Sequence, residues 1–302
     1  MIDCDPGHDD AVALILAHAH ADVLGVTTVS GNAPLVDTTR NALAVVELLG
    51  AKTPVHAGAV KPLEAEPVHA GLVHGANGLG GVELPPPIVS VVSEDAVAFI
   101  LEETRRVADV WLVPIGPLTN IAMALQRDPD LPRRIAGISL MGGSASEGNV
   151  TPAAEFNVWA DPEAADLVFR SGALIRMCGL NLTHQLRTSD DLIERLGSLG
   201  TPLGDFVGSM FGFLHDRMAD LVGERRAALH DPCAVLAVTH PELLEFEPRS
   251  VRMELKGEFT RGMTVVDQRT TRRRDEPNVE VAYHIDAERA MRLVMTSIGA
   301  DD

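Results

Sequence analysis

Short β-branched runs alternate with helical patterns along most of this sequence, and no other feature restricts the fold as much. "DVLGVTTVS" (22–30), "TPVHAGA" (53–59), "DVWLVPIG" (109–116), "AGISLMGG" (136–143) and "ALIRMCG" (173–179) read as buried strands. Between them, "AVALILAHAH" (11–20), "VDTTRNALAVVELLG" (36–50), "EDAVAFILEETRRV" (94–107) and "DPEAADLVFRSG" (161–172) carry helical spacing. Gly50 supplies a C-cap signal for the second of these helices, and Ser93 an N-cap for the third. Further helices are expected over 203–222, 231–240 and 286–298, and "SVRMELKGEFTRGMTVVDQR" (250–269) reads as a β-hairpin or meander. The expectation is an α/β fold: an open, mainly parallel central sheet flanked by helices, with a small C-terminal antiparallel portion. No linker or repeat breaks the pattern, so residues 1–302 are expected to form one domain.

In such sheets ligands bind beyond the carboxyl ends of the strands. Here those ends carry "DCD", "SGN", "PIG" and "MGG", so polar and glycine residues collect where a site belongs. The first is the most unusual. "DCDPGHDD" places Asp3, Asp5, Asp9 and Asp10 within eight residues, just before an apolar helix. Asp9 and Asp10 are explained in part by the helix dipole, but Asp3 and Asp5 are not. Alternation along a strand places positions 3 and 5 on one face, and like charges that close require protonation or a cation. With Cys and His sparse nearby, oxygen ligands favour a hard ion, Ca²⁺ or Mg²⁺, over Zn²⁺. An EF-hand is excluded, because Leu14 stands where its bidentate Glu belongs. Asp231 in "HDPCAV" (230–235) is a further acid, with N-capping of the helix behind it as an equal alternative.

Composition narrows the partners. Lys+Arg 25 against Asp+Glu 43 gives a net charge of −18, which argues against nucleic acid and anionic membranes. The basic run "TTRRRDEP" (270–277) is flanked by acids and a proline and reads as a solvated turn. Three widely spaced cysteines suggest no disulfide framework, and no signal-peptide pattern is apparent, so a cytoplasmic location is expected. Two Pro/Gly/His-rich or irregular zones, about 60–90 and 215–230, are long for simple connections and suggest lids over the site.

"DCDPGHDDAVA", "VSGNA" (29–33), "VPIGPLTNIAMAL" (113–125), "MGG" (141–143), "GNVTPAAEFNVWADPEAA" (148–165) and "HDPCAV" together resemble, in order, the signatures of the inosine–uridine-preferring nucleoside hydrolases. The resemblance covers residue 3 to about 240. It implies hydrolysis of the N-glycosidic bond of ribonucleosides to free base and ribose, for nucleoside salvage. It further implies Ca²⁺ held by Asp5, Asp10, Asp231 and the Ile115 carbonyl, with Asp5 as general base toward a bound water. Asp9, Asn32, Met141, Asn149, Glu155 and Asn157 would contact the ribose. His230, and His74 as a second candidate, would protonate the departing base; His8 receives no role. A homodimer or homotetramer is the family expectation. Trp111 and Trp159 are read as packing groups rather than base-stacking ones. No tyrosine precedes "HDP", and the base-contacting set is left open among His74, Arg217, Met218 and Arg225, as is purine against pyrimidine preference.

Two other readings compete. A haloacid-dehalogenase-like phosphatase also places DxD at a first-strand tip, although Pro6 and Gly7 stand where that pattern would differ. A Ca²⁺-dependent ribonucleoside-binding protein without turnover is the non-enzymatic alternative.

Overall fold

The computed structural model describes residues 1–75, 77–82, 84–270 and 275–300. Half of the basic run 270–277, residues 271–274, lies outside the described residues. Strands are β1 (Ile2–Cys4), β2 (Val26–Thr28), β3 (Val55–Ala57), β4 (Trp111–Pro114), β5 (Gly137–Met141), β6 (Ile175–Cys178), β7 (Leu244–Arg249), β8 (Val251–Met253), β9 (Thr264–Val266) and β10 (Val279–Ile285). Eight of them form one sheet in the order β3-β2-β1-β4-β5-β6-β10-β7, parallel throughout except for the β10–β7 pair. β8 and β9 make a small antiparallel pair, as the 250–269 pattern predicts.

All five expected strands occur, each shorter than its apolar run. β7 and β10 were not legible as strands. "LEFEPR" carries charge at alternate places because β7 is the sheet edge, exposed on one side, and such a segment reads as loop. "VEVAYHI" alternates properly, but only its pairing with β6 shows that it continues the main sheet.

Helices cover both faces. His8–His20, Leu35–Leu48, Pro202–Val222, Asp231–Thr239 and Ala287–Ile298 pack on one side, while Ala96–Arg106, Thr119–Arg127 and Pro162–Phe169 pack on the other. β5 shows how the sequence divides between the two cores. Ile138 and Leu140 join the second, while Met141 joins the first and Ser139 donates to Ala234 O at 2.7 Å beneath the helix at 231–239. Three local expectations need correction. Asp95, not Ser93, caps the helix at 96–106, accepting from Ala98 N at 2.9 Å; Ser93 Oγ instead bonds His56 Nδ1 at 2.8 Å. Asp231 caps nothing, since the N-cap of its helix is His230. The first half of the zone at 215–230 is the end of the 21-residue helix Pro202–Val222, stopped by Gly223 in the left-handed conformation (φ 77°).

The chain leaves β1 toward β2 on one side and β4 on the other, so the connections diverge at this point. Such a reversal opens a crevice above the carboxyl ends of the two strands. Asp5 and Ile115 are the residues immediately beyond those ends. No helix among the described residues is long and apolar enough to cross a membrane.

Candidate active site

β1 ends at Cys4, so the strand alternation stops before Asp5, and Pro6–Gly7 turns the chain directly into the helix His8–His20. Asp10, in the first helical turn, folds back over this turn. Its Oδ1 accepts from Asp5 N at 3.0 Å and its Oδ2 from Gly7 N at 2.9 Å, satisfying donors that a helix start leaves free. Asn32, beyond β2, donates its backbone N–H to Asp5 Oδ2 at 2.6 Å and its Nδ2 to Asp10 Oδ2 at 3.2 Å. Asp5 is further confined by glycines. A Cβ at Gly31 would stand 2.1 Å from Asp5 Oδ2, and one at Gly116 2.3 Å from Asp5 Oδ1.

Asp9, Asp10 and Asp231 each offer a carboxylate oxygen, and these lie within 4.8 Å of one another, all buried. Burial, then the neighbouring carboxylates, push Asp231 and Asp5 well above the usual carboxylate range, and burial with Asp9 raises Asp10 to about 7. Asp5 Oδ1 is buried with no partner. A buried acidic cluster with an orphaned oxygen, and no cationic side chain bonded to it among the described residues, fits a hard divalent cation. The donors also suit the expected set, although by geometry Asp9 belongs to the cluster as closely as its neighbours do.

Above the carboxylates opens a cleft of about 640 Å³. Its walls carry Asp9, Asn32, Ile115, Met141, Asn149, Glu155, Asn157, His74, His230 and Asp231, so the candidate residues from seven separate segments converge. Asp5 and Asp10 lie beneath this lining, fully buried. Asn157 Nδ2 donates to Ile115 O at 2.9 Å and Met141 O at 3.2 Å, which orients its amide. Glu155 caps the short helix Phe156–Ala160, accepting from Asn157 N at 2.9 Å, Val158 N at 3.2 Å and Gly143 N at 2.8 Å. Burial outweighs these donors and raises Glu155 to about 7. Asn149 Oδ1 accepts from Phe156 N at 3.0 Å. His230 donates its backbone N–H to Asp9 Oδ2 at 3.3 Å, and its Nδ1 pairs with Thr183 Oγ1 at 2.7 Å. Burial lowers His230 to about 4.

Asp3 stands apart. Its Oδ1 accepts from Thr27 Oγ1 at 2.6 Å and Asn120 Nδ2 at 2.7 Å, and it bonds none of the other three acids. Asn120 also reaches Thr28 O at 2.9 Å, so Asp3 braces β1, β2 and the helix Thr119–Arg127. The expectation that positions 3 and 5 share one electrostatic site fails, because Asp5 has left the strand.

Of the open base-site candidates, His74 and Met218 line the cleft. Arg217 and Arg225 do not: Arg217 Nε donates to Leu72 O, tying the helix at 202–222 to the 60–90 segment, and Arg225 pairs with Asp216 and Asp190. Leu72, Phe156, His184, Arg187 and Arg226 line the cleft as well and had no sequence signal, except that Phe156 lies inside the motif around Asn157. Trp111 and Trp159 are absent from the lining, as expected; the Arg176 guanidinium stands 4.8 Å over the Trp111 ring.

Comparison with known proteins decides the assignment. Residues 1–292 match the model of the inosine-uridine preferring nucleoside hydrolase family. The chain belongs to that family. The match extends well past residue 240, through β7 to β10. The pyrimidine-specific ribonucleoside hydrolase RihA of Shewanella baltica is 46% identical over 276 residues, 89% of this chain and 86% of the relative. A purine-preferring ribonucleoside hydrolase from Gardnerella vaginalis superposes with a TM-score of 0.93 at 32% identity, covering 98% of this chain and 96% of that one. The plant nucleoside hydrolase PpNRh1 does so at 0.94 and 32%, covering 99% and 98%. This nucleoside hydrolase is therefore an enzyme acting on ribonucleosides, and the phosphatase reading is set aside.

Proposed function

We propose that this nucleoside hydrolase cleaves the N-glycosidic bond of pyrimidine ribonucleosides, with Ca²⁺ as its cofactor, to release base and ribose for salvage. The observation that carries the reading is the buried acidic floor, with Asp5 Oδ1 unpartnered, beneath a cleft lined by oriented amides and carboxylates. Asp5, Asp10, Asp231 and the Ile115 carbonyl would hold the ion. When bound, it neutralises the acids and acidifies a water in its shell.

Asp5 removes the proton from the attacking water. One of its oxygens is fixed by the Asn32 N–H, and the other is free of protein donors. Asn157 has both Nδ2 hydrogens committed to carbonyls, so its Oδ1 is left to accept from a ribose hydroxyl. Asp9, Asn32, Asn149, Glu155 and the Met141 edge complete the ribose side. Positive charge developing at the anomeric carbon faces these carboxylates and is favoured by them. His230, held through Nδ1 by Thr183, presents Nε2 toward the departing base.

Pyrimidine preference is supported by the 46% identical relative and by a base end lined by Leu72, Met218, Val222 and histidines, without a tryptophan. The three buried free cysteines support a reducing, cytoplasmic setting, and the single eight-stranded sheet supports one domain over 1–302. A homodimer or homotetramer is the assembly carried over from the family. The test is a panel of uridine, cytidine, inosine, adenosine and guanosine, with Ca²⁺ and with chelator. Release of ribose from uridine and cytidine, lost on chelation, is expected. Binding without any turnover would replace the enzymatic reading with the binding-protein one.

A further inference from the structure

His8 is the residue of the opening motif to which neither metal nor ribose gives a task. It is fully buried at the first position of its helix, and its ring lies between His74 of the 60–90 segment and Phe213 of the helix at 202–222. His8 Nδ1 and His74 Nδ1 are 3.0 Å apart. The ring centroids are 5.1 Å apart with planes 25° from parallel. The centroid distance exceeds the nitrogen distance by about two ring radii, so the rings meet edge to edge, as an in-plane hydrogen bond requires. Gly80 closes the site from above. A Cβ there would stand 2.3 Å from Phe213 and 2.7 Å from His8 Nε2.

Which ring donates is settled by a third group. The backbone N–H of His8, one of the donors a helix start leaves free, also points at His74 Nδ1, at 3.4 Å. An N–H can only donate, so His74 Nδ1 must carry a lone pair for that contact to be attractive. His8 Nδ1 then carries the hydrogen, and His8 Nε2 is an unprotonated acceptor. His8 Nε2 is buried and has no partner. The opposite arrangement would place a buried N–H there without an acceptor, the rarer and costlier defect.

We infer that His8 is a positioning residue that fixes His74 in the tautomer with hydrogen on Nε2, so that His74 presents a proton donor to the base end of the cleft. His74 lines that cleft, and its Nε2 bonds nothing among the described residues. The neutral ring is thereby set to donate to a carbonyl or nitrogen of a departing pyrimidine, with no rotation needed. This rests on the hydrolase reading for its consequence, but the tautomer itself does not.

The test has two parts. Long-range ¹H–¹⁵N correlation spectra of the full chain, assigned by comparison with His74→Gln, report the His74 tautomer without turnover. Nε2–H is expected in the wild type. Nδ1–H, or an even mixture, would overturn the inference whatever the enzyme's activity. In the second part, His8→Leu should lower kcat on uridine about tenfold, the value of one hydrogen bond, with KM within twofold. Cleavage of 4-nitrophenyl riboside, whose leaving group needs no proton, should change less than twofold. His8→Asn, whose amide can stand in for the Nδ1–H donor, should recover most of the uridine rate. Equal losses on both substrates, or no recovery with Asn, would reduce His8 to a packing residue. A wild type inactive on all nucleosides would instead refute the hydrolase function and leave the spectral result standing.

Discussion

Gly116 lies against Asp5 so closely that a single methyl group there would stand 2.3 Å from Asp5 Oδ1. That oxygen is the buried, unpartnered one, and the glycine leaves the space beside it unfilled. Gly116→Ala must therefore displace the carboxylate. We expect kcat to fall at least about a hundredfold, as for a misplacement of roughly 1 Å, with the folded circular dichroism spectrum retained. Steady-state kinetics beside the spectrum make the comparison, and near-normal turnover would contradict the role of Asp5.

Asp10 joins the metal cluster and the helix start. Asp10→Asn keeps an oxygen for only one of the Asp5 and Gly7 amides, which use different Asp10 oxygens, and it removes a charge. Calcium affinity, measured by titration calorimetry, should fall by at least about a hundredfold, a loss of roughly 3 kcal/mol. An unchanged affinity would place the ion elsewhere.

Metal binding should be proton-linked. Without an ion, burial and Asp9 raise Asp10 to about 7, so at neutral pH part of the population carries a proton that the cation must displace. Ca²⁺ affinity should rise with pH between about 6 and 8, and calorimetry in buffers of different ionisation enthalpy should detect proton release. Affinity that is flat across this window would rule the linkage out.

Asp3 gives a stability test with the sign fixed. Burial raises it from its ordinary 3.8 to about 6, so the folded state binds its proton more tightly than the unfolded chain does. The stabilisation this provides is present below about pH 4 and is lost as pH rises through about 6. At pH 8 the ionised form costs on the order of 2–3 kcal/mol. Asp3→Asn removes that cost while keeping an oxygen for Thr27 and Asn120. Its melting temperature relative to wild type should be several degrees more favourable at pH 8 than at pH 4.5, and a pH-independent difference would show that Asp3 is not held in this way.

His230 presents the departing base with a ring already oriented by Thr183. His230→Ala should lower kcat on uridine by about 10²–10³-fold and affect 4-nitrophenyl riboside far less. Equal losses on the two would show that His230 does not act by protonating the leaving group.

The alternation of apolar runs determined the parallel sheet, because strands buried on both faces are written as continuous β-branched segments that helices interrupt. It also placed the acids, amides and glycines at strand ends, where local composition alone marks them. What sequence could not decide was which of these groups face one another. Asp3 and Asp5 look equivalent in "DCD", yet only the end of β1 at Cys4 separates a structural brace from a site carboxylate. β7 was hidden because an edge strand pairs on one side only and tolerates charge on the other. His8 and His74, sixty-six positions apart, acquire a shared proton only when the glycine-rich segment folds across the helix start. Local patterns are set by each residue's own neighbours in the chain, whereas tautomers, orphaned oxygens and the partners of a buried charge are fixed by groups that tertiary packing brings together.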